Sequence, residues 1–281
     1  MREITVFTHQ RPEETRETLE LLAGRAEQGG FCLRLSPEES SKHDLPAGPN
    51  LQLEVPLKRD VDLCVVLGGD GTILRALQDY ANTEVPVFAI NFGEIGFLAT
   101  VERGDALAGI DRALAGDFEL LRLPGIVVEL DGERRTAIND VAVHRKVGER
   151  VAELAYALDG EEAGSVRCDG LVVATPAGST GYNLANGGPV MAWGVEGFVV
   201  SFIAPHSMTA RALVVAPDDR LSVHNRSREP LDVAVDGRPV GEIPAGEAIG
   251  ASFVSDCATL AQLPGTSFYR RLRDKFGRLS S

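Results

Sequence analysis

No Gly-Lys pair occurs anywhere in the chain, so there is no Walker loop, and its glycine-dense strand end lacks the G-x-G-x-x-G spacing of dinucleotide folds. No run approaches the roughly 18 apolar residues needed to cross a bilayer, and residues 1–7 read as a strand rather than an apolar signal segment. A cytoplasmic protein that meets no membrane is the expectation. Cys32, Cys64, Cys168 and Cys257 lie too far apart for a zinc spacing or a disulfide framework, and the five histidines have no metal-site spacing either. Positive charge is short as well: 28 Lys and Arg against 41 Asp and Glu leave a net charge of −13. That balance opposes non-specific binding to nucleic acid or anionic lipid, so an anionic substrate must meet a local exception.

With 281 residues, of which 44% are hydrophobic and 25% charged, the chain is long enough for one large or two modest domains. The first third alternates strand and helix patterns. Residues 4–8 and 31–35 read as strands. Between them Pro12 opens a helix with Leu19, Leu22 and Ala26 inward, and near Asp105 a helix begins with Leu107, Ile110 and Leu114 on one face. This predicts an α/β domain over 1–117, a parallel sheet with flanking helices. From 118 the apolar runs shorten and are divided by Asp-Gly turns at Asp131-Gly132 and Asp159-Gly160. The expectation is a larger, mostly β, sandwich-like domain over 118–281 whose C-terminal helix packs back. In that tail Phe268, Leu272 and Phe276 share a helical face, with the arginines expected outside in solvent.

The glycine-dense strand end is Leu67-Gly68-Gly69-Asp70-Gly71-Thr72, directly after an apolar run and before Ile73, Leu77 and Tyr80 at helical spacing. A strand running into a helix N-terminus offers backbone N–H groups to a phosphate. A carboxylate there is misplaced as a phosphate ligand; it fits if it binds a metal bridging the phosphates or takes a proton from an attacking hydroxyl. The plain alternative is a strand-to-helix turn in which Asp70 caps the helix.

Two clusters in the β half add to this. Asn139-Asp140 interrupts an apolar strand, and a buried polar pair needs an internal partner or a polar ligand such as ribose hydroxyls or an adenine edge. The run from Arg167 through Asp169 to Pro189 takes a strand into a turn rich in glycine and hydroxyls, where Tyr182 can pack against a flat ring and Thr180 can hydrogen-bond it.

In order and spacing, Gly68–Thr72, residues 91–98, Asn139-Asp140 and the 169–189 run resemble the NAD kinase family over roughly residues 60 to 275. The resemblance implies phosphoryl transfer from ATP or polyphosphate to the 2′-hydroxyl of the adenosine ribose of NAD, with a divalent metal, magnesium, in a homodimer or homotetramer. It implies that Asp70 is the catalytic carboxylate, acting as proton acceptor or through the metal, and that Gly68, Gly69, Gly71 and Thr72 bind the donor phosphates, Asp70 and Gly71 also meeting NAD. Asn139 and Asp140 would hold the adenosine portion. Ala177, Thr180, Gly181, Tyr182, Asn183, Leu184 and Ala185 would hold adenine and its ribose, Asp169 the nicotinamide end. Arg75, Arg150 and Arg167 would be dinucleotide contacts, guanidinium groups suited to a pyrophosphate. The family usually has Glu where Asp140 stands, Thr where Ala177 stands and Ala where Gly181 stands.

Other readings are a lipid or sugar kinase sharing the Gly-Gly-Asp loop, a catalytically silent dinucleotide sensor, and a hydrolase using Ser179 with His206. The 175–189 run opposes the first and Asp70 the second. The third lacks the G-x-S-x-G spacing.

Overall fold

The strand signals of the first third become a parallel sheet because each apolar run is followed by a helix able to cover it. The structure is a computed structural model that describes residues 2–93 and 96–277. It divides into two units, 1–122 with 258–281 and 123–257. The C-terminal stretch, expected with the β half, therefore belongs to the first unit.

In the first unit the strands are β1 (Arg2–Thr8), β2 (Phe31–Arg34), β3 (Leu51–Gln52), β4 (Leu63–Gly68), β5 (Pro86–Asn91) and β6 (Val101–Glu102). They pair in parallel in the order β3-β2-β1-β4-β5, with β6 on the outer edge of β5. The chain builds outward from β1 on one side and then on the other. The strand order thus reverses beside β4, and ligands of open α/β sheets bind at the carboxyl ends of strands at such a reversal. Helices α1 (Arg16–Gly29), α2 (Pro37–Lys42), α3 (Asp70–Asp79) and α4 (Ala106–Ala115) connect them. Leu19, Leu22 and Ala26 of α1 are fully buried, as their spacing predicts. In α4 the buried face is Ala106, Gly109, Ile110 and Ala113, whereas Leu107 is exposed; the helix begins one residue after Asp105 and turns its small residues inward.

The second unit contains β7 (Glu119–Leu130), β8 (Glu133–Ala137), β9 (Asp140–Arg145), β10 (Ala152–Leu158), β11 (Glu161–Cys168), β12 (Gly170–Ala174), the single-turn α5 (Tyr182–Ala185), β13 (Phe198–Ile203), β14 (Leu213–Val215), β15 (Leu221–Asn225), β16 (Leu231–Val235), β17 (Arg238–Ile243) and β18 (Ala248–Gln262), the unit boundaries falling inside β7 and β18. One antiparallel sheet runs β14-β13-β12-β9-β16-β17, and the second contains β11-β10-β15-β18. Val141 and Val143 of β9, Leu171 and Val173 of β12, Leu154 of β10 and Val223 of β15 meet in one buried cluster between the sheets. The alternate residues Ala142, Val172 and Ala174 are buried with Met191 and Val199 on the opposite face. Burial on both faces explains why the residues of β12 read as a continuous apolar run. The last residues of β18 pair in parallel with β5, and α6 (Phe268–Phe276) ends the described chain in the first unit.

Candidate active site

In the first unit β4 ends at Gly68, Gly69 is the N-cap of α3, and Asp70 is its first residue. Thr72 and Ile73 donate to the Gly69 carbonyl at 2.9 and 3.1 Å, so the turn tightens at once into a helix. A Cβ on Gly68 would lie 2.6 Å from that of Thr72, which restricts the position to glycine, whereas one on Gly71 would meet nothing within 4 Å. The open side at Gly71 is where a phosphate can approach the helix N-terminus.

Asp70 is the first residue of α3, and the bonds to its carboxylate come from outside that helix. Its Oδ2 accepts from the Phe97 N–H at 2.8 Å and its Oδ1 from the Leu98 N–H at 3.2 Å. Each oxygen keeps a second lone-pair site, so the carboxylate can still accept a proton or a hydrogen bond. Burial pushes its pKa above the ordinary carboxylate value, and the two N–H donors, with the cations Lys275 and Arg271, oppose that rise. Of the motif at 91–98, Glu94 and Ile95 lie outside the described residues. Gly96 passes so close that a Cβ there would stand 2.6 Å from Asp70 Oδ1.

Arg75 has acidic partners inside the first unit. Its guanidinium pairs with Glu38 and Glu39 and lies 5.0 Å over the Phe7 ring. Glu39, 1% exposed, also accepts from the Thr8 N–H and hydroxyl at 2.9 and 2.7 Å and from Lys42 at 2.9 Å. A buried carboxylate requires such a partner set, so Arg75 is committed to the fold of α2 against β1. A sequence shows the arginine but not the acid that claims it.

In the second unit the Asn139-Asp140 pair has its internal partner. Asp236 turns in the left-handed region (φ 48°) ahead of Gly237 in the β16–β17 hairpin. Its carboxylate accepts from the N–H groups of Ile138, Asn139 and Asp140 at 2.9, 2.7 and 2.9 Å. The side chain of Asp140 is left buried beside a like charge. Burial first, and Asp236 second, push its pKa up to about 7. Asn139 Oδ1 is buried with no hydrogen-bond partner among the described residues. Asp236 is the organiser that sequence reasoning passed over; the Asp-Gly turn dipeptide marked it, but only its contact with the 138–140 backbone shows its role.

The 175–189 run closes on the same backbone. Thr175 donates from its N–H to Asn139 O at 2.9 Å and from its hydroxyl to Ile138 O at 2.7 Å. A Cβ on Gly178 would lie 2.0 Å from Asn139 O. Ala177 is buried, the Thr180 hydroxyl donates to Ala177 O at 3.0 Å, and Gly181 is exposed. Tyr182, 37% exposed, stacks on His144 with ring centroids 5.6 Å apart. The side chain of Asn183 staples the loop, donating to Ser179 O and Pro189 O at 3.0 and 2.9 Å, so its amide N–H groups are spent. Leu184 is half-buried and Ala185 exposed on α5. The Ser179 hydroxyl is fully buried, donating to Pro176 O at 2.7 Å and accepting from Met191 N–H at 2.9 Å, which removes it as a nucleophile.

Asp169 accepts from Arg145 Nε at 2.5 Å, and that bond holds its carboxyl below the ordinary range. Arg150 and Arg167 come together in a cavity of about 570 Å³, lined also by Arg145, Lys146, Arg226 and Arg228. Asn139, Asp140 and residues 177–185 do not line it. Glu149, Glu153 and Glu229 do line it, so basic side chains outnumber acidic ones six to three in this cleft of an acidic chain.

The sequence matches the ATP-NAD kinase N-terminal domain over residues 34–118 and the ATP-NAD kinase C-terminal domain over residues 138–258. It is 37% identical over 267 residues to the NAD kinase of Symbiobacterium thermophilum, covering 92% of this chain and 93% of that one. It is 36% identical over 225 residues to the NAD kinase of Rhodopirellula baltica, covering 78% and 72%. Among solved structures, the NAD kinase of Archaeoglobus fulgidus in complex with ATP superposes with a TM-score of 0.74 at 26% identity, covering 100% of this chain and 99% of that one. Yeast NADH kinase complexed with NADH shares the fold, with a TM-score of 0.86 at 23% identity and coverage of 100% and 89%. With both domain signatures in chain order and a relative matched over nearly its whole length, the chain belongs to the NAD kinase family, a family of phosphotransferases.

Proposed function

We propose that the chain transfers the terminal phosphoryl group of ATP to the 2′-hydroxyl of the adenosine ribose of NAD, giving NADP, with Asp70 as acceptor of the hydroxyl proton. The observation that carries the reading is Asp70 itself: a partly buried carboxylate at the mouth of a glycine loop, fixed by two backbone N–H groups from outside its own helix. Phosphoryl transfer asks chiefly for positioning and charge neutralisation, and a preset base supplies the first. Gly68, Gly69, Gly71 and Thr72 cradle the donor phosphates.

Among the described residues no group of three or more His, Cys, Asp or Glu side chains could hold a metal. A loop of backbone N–H groups with one carboxylate suits an ion that keeps its waters and rides on the donor phosphates rather than in a protein cage. Magnesium carried in this way would neutralise charge on the transferred group.

The adenosine half of NAD is read by the second unit, with the orphaned Asn139 Oδ1, Asp140 and the 177–185 turn as its contacts. Asp169 takes the nicotinamide end, and Arg150 and Arg167 serve the pyrophosphate. Arg75, which pairs with Glu38 and Glu39, is a further dinucleotide contact in this reading. We place the enzyme in the cytoplasm, where four buried free thiols are stable, and as a homodimer or homotetramer. Among the described residues no helix is long and apolar enough to cross a membrane. The test is NADP formation from NAD and magnesium with ATP or inorganic polyphosphate as donor, beside molar mass by light scattering. NADP with at least one donor and a mass of two or four chains is expected; no NADP with either contradicts the function.

A further inference from the structure

Of the arginines in α6, Arg271 is buried, at 8% exposure, where the sequence pattern predicts solvent. A guanidinium is costly to bury unless its charge and donors are used. Here one Nη donates to the carbonyl of Phe97. The N–H of Phe97 and that of Leu98 are the two donors that hold the Asp70 carboxylate. The backbone at Phe97 therefore stands between guanidinium and carboxylate, bonded to both.

Two further contacts tie α6 to the same segment. The Phe276 ring lies against that of Phe97, centroids 5.9 Å apart. Lys275 reaches Glu102 at 3.5 Å, the other oxygen of Glu102 accepts from the Asn91 amide at 2.9 Å, and Asn91 Oδ1 accepts from the Gly93 N–H at 2.9 Å. Gly93 in turn abuts the glycine loop, where a Cβ on it would be 3.0 Å from Gly69 Cα. Both ends of the grip thus finish at Gly69 and Asp70.

We infer that α6 is a positioning element for the Asp70 carboxylate and that Arg271 is its positioning residue, setting where the proton acceptor stands without touching substrate. This rests on reading Asp70 as that acceptor. Among the described residues the cations facing Asp70 are Lys275 and Arg271, both from α6 and both favouring its ionised form, while Glu102 faces Arg271. Arg271 itself is pulled down to about 10 by burial.

The test compares the parent, Arg271→Met, Arg271→Lys and Asp70→Asn in NADP formation, with kcat and KM measured across pH and folding checked by circular dichroism. Arg271→Met is expected to lower kcat about tenfold or more, with KM for NAD and ATP within about twofold of the parent. The acid limb of its kcat profile moves to higher pH, and Arg271→Lys brings that limb back toward the parent. Parent-like kcat, a raised KM at intact kcat, or an unmoved acid limb in Arg271→Met overturns the inference. If Arg271→Met does not fold, Lys275→Met carries the same readouts, with a fall in kcat expected and parent-like kcat overturning. An inactive Asp70→Asn beside a fully active Arg271→Met removes only the positioning role. An active Asp70→Asn removes the reading of Asp70 beneath it.

Discussion

Two carboxyl groups, Asp70 and Asp140, have pKa values raised by the same cause, burial, and the consequences differ because their partners differ. Asp70 has N–H donors and cations that favour its ionised form, so it can stand as a base. Asp140 has a like charge, Asp236, and is protonated up to about pH 7. The linkage sign follows from the raised value. Between the unfolded carboxyl pKa near ~4 and about 7, the native state binds the extra proton, so stability falls as pH rises through that window and is level above it. Asp140→Asn removes that loss. It is expected to raise the stability measured at pH 8 by up to about 4 kcal/mol, leave that at pH 4 little changed, and raise the KM for NAD. Thermal unfolding at both pH values checks this; equal effects at pH 4 and pH 8 contradict it. Such a gain in stability with a loss of function marks a residue kept for binding.

At the scale of elements, the 175–180 turn is held both by its own hydroxyls and by the 138–140 backbone on which Thr175 anchors it. Gly178, in the turn after β12, lies against the backbone of Asn139. Gly178→Ala would place a methyl 2.0 Å from Asn139 O, which neither backbone can yield without losing the Thr175 bonds. The expected cost is about 2 kcal/mol or more in chemical denaturation, with NAD affinity falling in parallel. Gly71→Ala, which meets nothing within 4 Å, is the control for the glycine-to-alanine change and should cost well under that. Equal losses for the two would show that the close approach does not govern the turn.

For the molecule as a whole, the sequence made legible what depends on local pattern. The strand before Asp70, the inward face of α1 and the antiparallel β half follow from apolar spacing and turn residues, which act over a few positions. What stayed hidden depends on long-range partners. Arg75 is claimed by Glu38 and Glu39, Arg271 is drawn in by Phe97 across 174 positions, and Asp236 reaches back 96 to 98 positions to hold Asn139-Asp140. The grouping of 258–281 with the first unit is hidden for the same reason, since β18 pairs with β5 only once the sheet exists.

All of these features serve one claim, that the Asp70 carboxylate takes the proton of the attacking 2′-hydroxyl. The direct test is kcat for NADP formation by Asp70→Asn, in protein shown by calorimetry to bind NAD as the parent does. The Asn side chain keeps the size of the carboxylate but gives up the basic oxygen and can accept from only one of the Phe97 and Leu98 N–H groups, so kcat is expected to fall about 10²- to 10⁴-fold in protein that still binds NAD. An Asp70→Asn protein that makes NADP at close to the parent rate would contradict the account.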